Sequence, residues 1–171
     1  MKGNSVRMLV QCGMLIAISI VLSRFFSIRI PLAGVDALRI GFGTFPIVLA
    51  GFLFGPWAGA MVGALANLLG ALIFPTGAIM PQFIAIAALG GACPIIFWRI
   101  LGSRRTYFWL LLAIGTSLLI NSVGLISFFM NQLYGTPYEF MLTGRLVAWA
   151  ITAPIYPILL LKVWRYFRNE R

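Results

Sequence analysis

Apolar positions in this chain come in long unbroken blocks, not in the one-sided or alternating patterns of a water-facing fold. Between Arg39 and Arg99 lie 59 consecutive residues with no Asp, Glu, Lys or Arg. A bilayer core takes about 20 apolar residues per helix, so this block predicts three spans. Gly55-Pro56 and Pro75-Thr76-Gly77, with Pro81 just beyond, mark its joints. The uncharged runs Met8–Ser23, Thr106–Tyr138 and Leu146–Leu161 each hold one more helix. Six spans are therefore expected, near 6–25, 42–54, 57–73, 80–101, 107–131 and 141–163, the second short and irregular at its start. Met1–Val10 has the look of a signal peptide, but no small-residue cleavage site follows it, so it reads as the start of the first helix.

Composition agrees with the pattern. Of the 171 residues 61% are hydrophobic and 9% charged, against about 25% charged in soluble domains. A soluble, disordered or nucleic-acid-binding protein is excluded. The expected class is an all-α integral membrane protein, a compact six-helix bundle forming a single membrane domain over residues 1–171. Cys12 and Cys93 lie inside apolar runs, and the chain has no histidine. No metal site and no disulfide framework are expected.

The 13 Lys and Arg residues against 3 acids mark topology. Six spans place both termini on one side. That side collects Lys2, Arg7, Arg99, Arg104, Arg105, Lys162, Arg165, Arg168 and Arg171, and is cytoplasmic by the positive-inside rule. Arg24, Arg29, Arg39 and Arg145 fall at the outer side, against that bias, with only Asp36 and Glu139 there as counter-ions. Snorkelling to headgroups explains a single such arginine. Four together predict a basic outer vestibule suited to a small anion. Arg145, in the first turns of helix six, would cost about 2.5–3.5 kcal/mol in hydrocarbon and should face a cavity or a partner.

Gly51, Gly55, Gly59 and Gly63 form a ladder at four-residue spacing, read first as close internal packing. Gly13 and Ala17 make a second small pair, for which internal packing is again the simpler reading. Asn67 and Asn121 are amides within spans; each should point inward, as interhelical glue or as a ligand contact. Phe25, Phe26, Phe42, Phe45, Phe74, Tyr134 and Tyr138 gather toward the outer face as an interfacial belt in which a flat ring could stack. The connection FPTGAIMP offers backbone groups at Thr76 and Gly77. There is no G-x-x-x-x-G-K-[ST] and no carboxylate within a span, so the chain lacks both a P-loop and a proton-exchange group. A small binder of this kind needs partners to energise transport. The rival class is a small intramembrane enzyme or assembly factor whose arginines hold a lipid phosphate.

At VLSRFFSIRIP, GFGTFPIVLAG, LFGPWAGA and FPTG the sequence resembles the membrane-embedded substrate-binding subunits (S-components) of energy-coupling factor vitamin transporters, most closely the folate-specific type. The resemblance is detailed over residues 9–91. It implies six helices in the bacterial cell membrane, a vitamin held near the outer surface, and docking to a transmembrane coupling subunit with two cytosolic ATPases. It implies no enzymatic activity and no cofactor. It assigns docking to Gly13 and Ala17. Folate, with a pterin and a glutamate tail bearing two carboxylates, would meet Arg24 and Arg39, which lie inside the matching segments, together with Asn67, Phe74, Thr76 and Gly77; Arg145 joins this set on the cost of its burial, not on the resemblance. The folate-type pattern has an aspartate where this chain has Asn67, and an aromatic and a glycine where it has Ile79 and Gln82. Riboflavin, thiamine, biotin, pantothenate and cobalamin therefore stay open as ligands.

Overall fold

The computed structural model describes residues 2–32, 35–74, 80–102, 106–135 and 138–169. Its helices follow the apolar blocks: α1 (Lys2–Phe25), α2 (Thr44–Phe54), α3 (Pro56–Ile73), α4 (Pro81–Ile100), α5 (Tyr107–Leu118), α6 (Ser127–Tyr134) and α7 (Tyr138–Asn169). Between α5 and α6 the helix continues as a π segment, Leu119–Ile126, so these three pieces form the fifth span. Among the described residues five helices are long and apolar enough to cross a membrane, and α2 is a shorter apolar sixth.

Proline and glycine set the joints. Gly55, at φ +103°, ends α2, and Pro56 opens α3 at a position where its missing N–H costs nothing. Pro81 opens α4 in the same way.

α2 sits at the centre, which explains why TFPIVLAGFLF is apolar on every side. One face, through Val48, joins Leu110, Ile114, Tyr156 and Leu160 of span five and α7. The other, through Ile47 and Ala50, joins Val62 and Ala66 of α3, with Leu15 and Ile16 of α1 packed against them. Three members of the glycine ladder, Gly51, Gly59 and Gly63, are internal packing, whereas a Cβ on Gly55 would meet nothing within 4 Å. A Cβ at Gly59 or Gly51 would strike the Gly91 carbonyl, and one at Gly63 would strike that of Ala87. Small residues let the backbones of α2, α3 and α4 touch where hydrocarbon gives no hydrophobic drive to association.

One element departs from the sequence reading. The first outer connection is not a plain loop but an antiparallel hairpin, β1 (Ser27–Leu32) with β2 (Val35–Gly41). Its register pairs Ser27 with Gly41, Ile28 with Ile40, Arg29 with Arg39 and Ile30 with Leu38. At 1.5 Å per residue the 11 residues of α2 rise about 16 Å, roughly half of a ~30 Å core. β2 packs along α7.

Candidate ligand site and docking face

The hairpin base is held by two side chains. The buried Ser19 hydroxyl donates to the Gly43 carbonyl at 2.7 Å, and the Tyr156 hydroxyl donates to the Gly41 carbonyl at 3.2 Å. Gly43 lies so close to α1 that a Cβ there would meet Ser23 Cβ at 2.5 Å. β2 is thereby anchored between α1 and α7, and Arg39 is carried two residues above the anchor. The side chain of Arg39 lies outside the described residues, as do Thr76 and Gly77.

Arg24 ends α1 and reaches across to α3. Its Nη2 donates to the Gly70 carbonyl at 2.8 Å, an oxygen that also accepts the Phe74 N–H at 3.1 Å. A cation there complements the negative end of α3. Phe25 and Phe74 meet edge to face at 6.0 Å over the same corner. Arg24 and Phe74 are thus brought together at the outer end of α1 and α3.

Arg145 lies seven residues into α7 and is 8% exposed. Its Nη1 donates to the Ser122 carbonyl, in the π segment, at 3.3 Å. The expectation that it turns away from lipid holds. Lower on the same pair of helices, Trp149 Nε1 donates to the Gly115 carbonyl at 2.8 Å.

Asn67 corrects an expectation: it is exposed, not enclosed in the bundle. At about 100° per residue it stands roughly 40° from Gly63, which faces α4, and roughly 60° from Gly70, which faces α1. The exposed Met61, Leu65 and Leu69 are roughly 120–160° away. Asn67 therefore stands between the inner seam of α3 and its exposed arc. Asn121 does turn inward, at 8% exposure.

The second small pair also corrects its simpler reading. Gly13 and Ala17 are exposed, and a Cβ on Gly13 would meet nothing within 4 Å. Among the described residues, then, Gly13 faces open space and Ala17 is not buried against a neighbouring helix. α1 is the least covered span, with 6% of its apolar stretch buried against 28% or more in each of the other four.

Sequence reasoning missed the hairpin, Tyr156, and the π segment that receives Arg145. A signal for the hairpin was present: SIRI and LRIG alternate polar and apolar positions. Nothing in LINSVGLI distinguishes a π from an α turn.

The sequence matches the family described as ECF transporter, substrate-specific component, over residues 7–163. The chain belongs to that family. This substrate-specific component is 31% identical over 162 residues to the folate transporter FolT of Clostridium novyi (strain NT), covering 95% of this chain and 90% of that protein. Its fold matches a crystal structure of FolT bound with folic acid, with a TM-score of 0.75 and 28% identity over 90% of this chain and 92% of that one. The S component of a bacterial ECF transporter matches at a TM-score of 0.64 and 25% identity, over 96% and 97% of the two chains. ThiT from Listeria monocytogenes shares the fold, with a TM-score of 0.68 at 18% identity over 94% and 96%. The component is a multi-pass membrane protein and a non-enzymatic binding subunit, so the lipid-acting enzyme is set aside. Membership brings a vitamin substrate and the partners of an ECF module.

Proposed function

We propose that this component is the folate-binding subunit of its transporter, and that the ligand's carboxylates meet the arginines at the outer end of the bundle. The reading is carried by Arg145, a guanidinium buried within the bundle beside an interrupted helix. Charge at that depth suits a site that receives an anion. Arginine pairs with carboxylates through two parallel, charge-assisted hydrogen bonds. Arg24 and Arg39 complete the basic end, Phe74 stacks on the ring system, and Asn67, Thr76 and Gly77 supply polar contacts. Similarity to FolT over nearly the whole chain supports the same ligand.

Gly13 and Ala17 form the docking contact for the transmembrane coupling subunit, through which two cytosolic ATPases drive uptake. Their exposure, with open space over Gly13, supports this over internal packing. A different vitamin is the second reading, favoured by Asn67 where the folate-type pattern has an aspartate. Calorimetric titration of the purified protein with folic acid, riboflavin, thiamine, biotin, pantothenate and cobalamin decides between them. Folic acid should bind one to one and tightest. Tight binding of another vitamin, with folic acid silent, would install the second reading.

A further inference from the structure

Ser19 and Tyr156 carry hydroxyls that packing does not ask for. The Tyr156 ring is 2% exposed, lodged among Val48, Leu110, Ile114 and Leu160 and edge-on to Phe45 at 5.8 Å. Phenylalanine would fill that place as well. Ser19, 3% exposed, continues the face of α1 on which Cys12 and Ile16 meet the core. A hydroxyl on a helix can bond a carbonyl of its own preceding turn, as those of Ser23, Thr116 and Thr152 do. Ser19 and Tyr156 instead reach out of their helices, to the Gly43 and Gly41 carbonyls at 2.7 and 3.2 Å.

Those two carbonyls flank Phe42 at the foot of β2. Both glycines serve the close approach there: a Cβ on Gly41 would lie 2.9 Å from Ser27 Cβ, and one on Gly43 2.5 Å from Ser23 Cβ. Among the described residues the sheet above has two strands, and a two-stranded hairpin is marginal by itself. Its placement therefore depends on how its foot is held. A foot held at one carbonyl can still pivot about it; held at two, from two helices, it cannot. Arg39 stands two residues from Gly41, about 7 Å along the strand. A paired guanidinium–carboxylate contact is directional, so play at the foot becomes lost contact at Arg39.

We infer that Ser19 and Tyr156 are positioning residues for vitamin binding: from α1 and α7 they clamp the foot of the hairpin, and through it they hold Arg39 where a carboxylate meets it. The inference rests on the reading above, in which Arg39 receives a carboxylate of the ligand. It adds two residues that act on affinity without contact to that ligand.

The test is a mutant cycle, read by titration with folic acid on the full-length protein in detergent. Tyr156→Phe and Ser19→Ala each remove one hydroxyl and little volume. Each should weaken binding about threefold to tenfold, the worth of one hydrogen bond. In an Arg39→Ala background, where nothing is left to position, each should change affinity by less than about twofold. A hydroxyl that merely supports the fold lowers affinity by the same factor in both backgrounds. That result overturns the inference, as does wild-type affinity in either single variant. A second readout needs no ligand: amide deuterium exchange over residues 35–43 should be faster in both variants, and unchanged exchange overturns the clamp. Absence of folic acid binding in wild type is the failure of the folate reading, and the cycle is then run with the vitamin that does bind. Whichever vitamin is used, an affinity indifferent to Arg39→Ala overturns the inference, since there is then no contact to position.

Discussion

Arg24 and Arg145 look alike in the sequence, as charges where topology disfavours them, yet the fold gives them different surroundings. Arg24 shares the Gly70 carbonyl with the Phe74 N–H and so ties α1 to the end of α3. Arg145 is sunk among the helices and bonds the Ser122 carbonyl of the π segment. Alanine at 24 should lower the ligand-free melting temperature along with affinity. Alanine at 145 should act chiefly on the ligand. A charge-assisted contact is worth roughly 1.5–3 kcal/mol, so Arg145→Ala should weaken folic acid binding about tenfold to more than a hundredfold. Lysine at 145 should rescue in part, keeping the charge and losing the fork. Titration paired with thermal melting checks both, and affinity within about twofold of wild type in Arg145→Ala would remove this residue from the site.

Between elements, the same residue type marks two different kinds of surface. Gly91 of α4 faces Gly59 so closely that a Cβ would overlap the Gly59 carbonyl and lie 2.9 Å from Ile47 Cγ2. Gly91→Ala must push two backbones apart, and overpacking of this kind costs about 1–3 kcal/mol. Gly13→Ala meets open space and removes a helix-interior glycine, which is worth about 0.5–1 kcal/mol in its favour. Melting in detergent should therefore fall for Gly91→Ala and hold or rise for Gly13→Ala. Sequence alone marked Gly59 and Gly13 as members of small-residue stripes but could not say which of them has a neighbour, because spacing records a stripe and not what covers it. Helix positions were legible because a lipid-crossing helix must be an uncharged block. The hairpin was not, because Arg29, Asp36 and Arg39 made Ser27–Gly41 read as a connection, although its two strands alternate in sequence. The candidate site was legible in its charges, Arg24 and Arg145, whose cost in a membrane demands a reason. It was not legible in its amides. The exposure of Asn67 and the burial of Asn121 depend on helix rotation and on a π turn that eight apolar and small residues do not announce.

At the scale of the whole molecule, the bundle has two ends and one open flank. Its outer end carries the hairpin, the Phe25–Phe74 corner and the arginines. Its flank is α1, with the small pair Gly13 and Ala17 exposed along it. The proposed ligand site and the proposed docking pair lie on different surfaces, so their effects should separate by mutation. Gly13→Trp and Ala17→Trp should each hinder close approach of a partner helix, reducing uptake by the assembled transporter while folic acid affinity of the isolated subunit stays within about twofold. The isolated subunit, with no P-loop and no carboxylate in its spans, should accumulate nothing in liposomes under a proton or sodium gradient. Uptake should appear when the coupling subunit, the ATPases and ATP are added, and the tryptophan variants should then lag behind wild type. Equal loss of uptake and of affinity in those variants would mean that the pair packs inside the fold after all. Uphill uptake by the subunit alone would place the energy source within this chain.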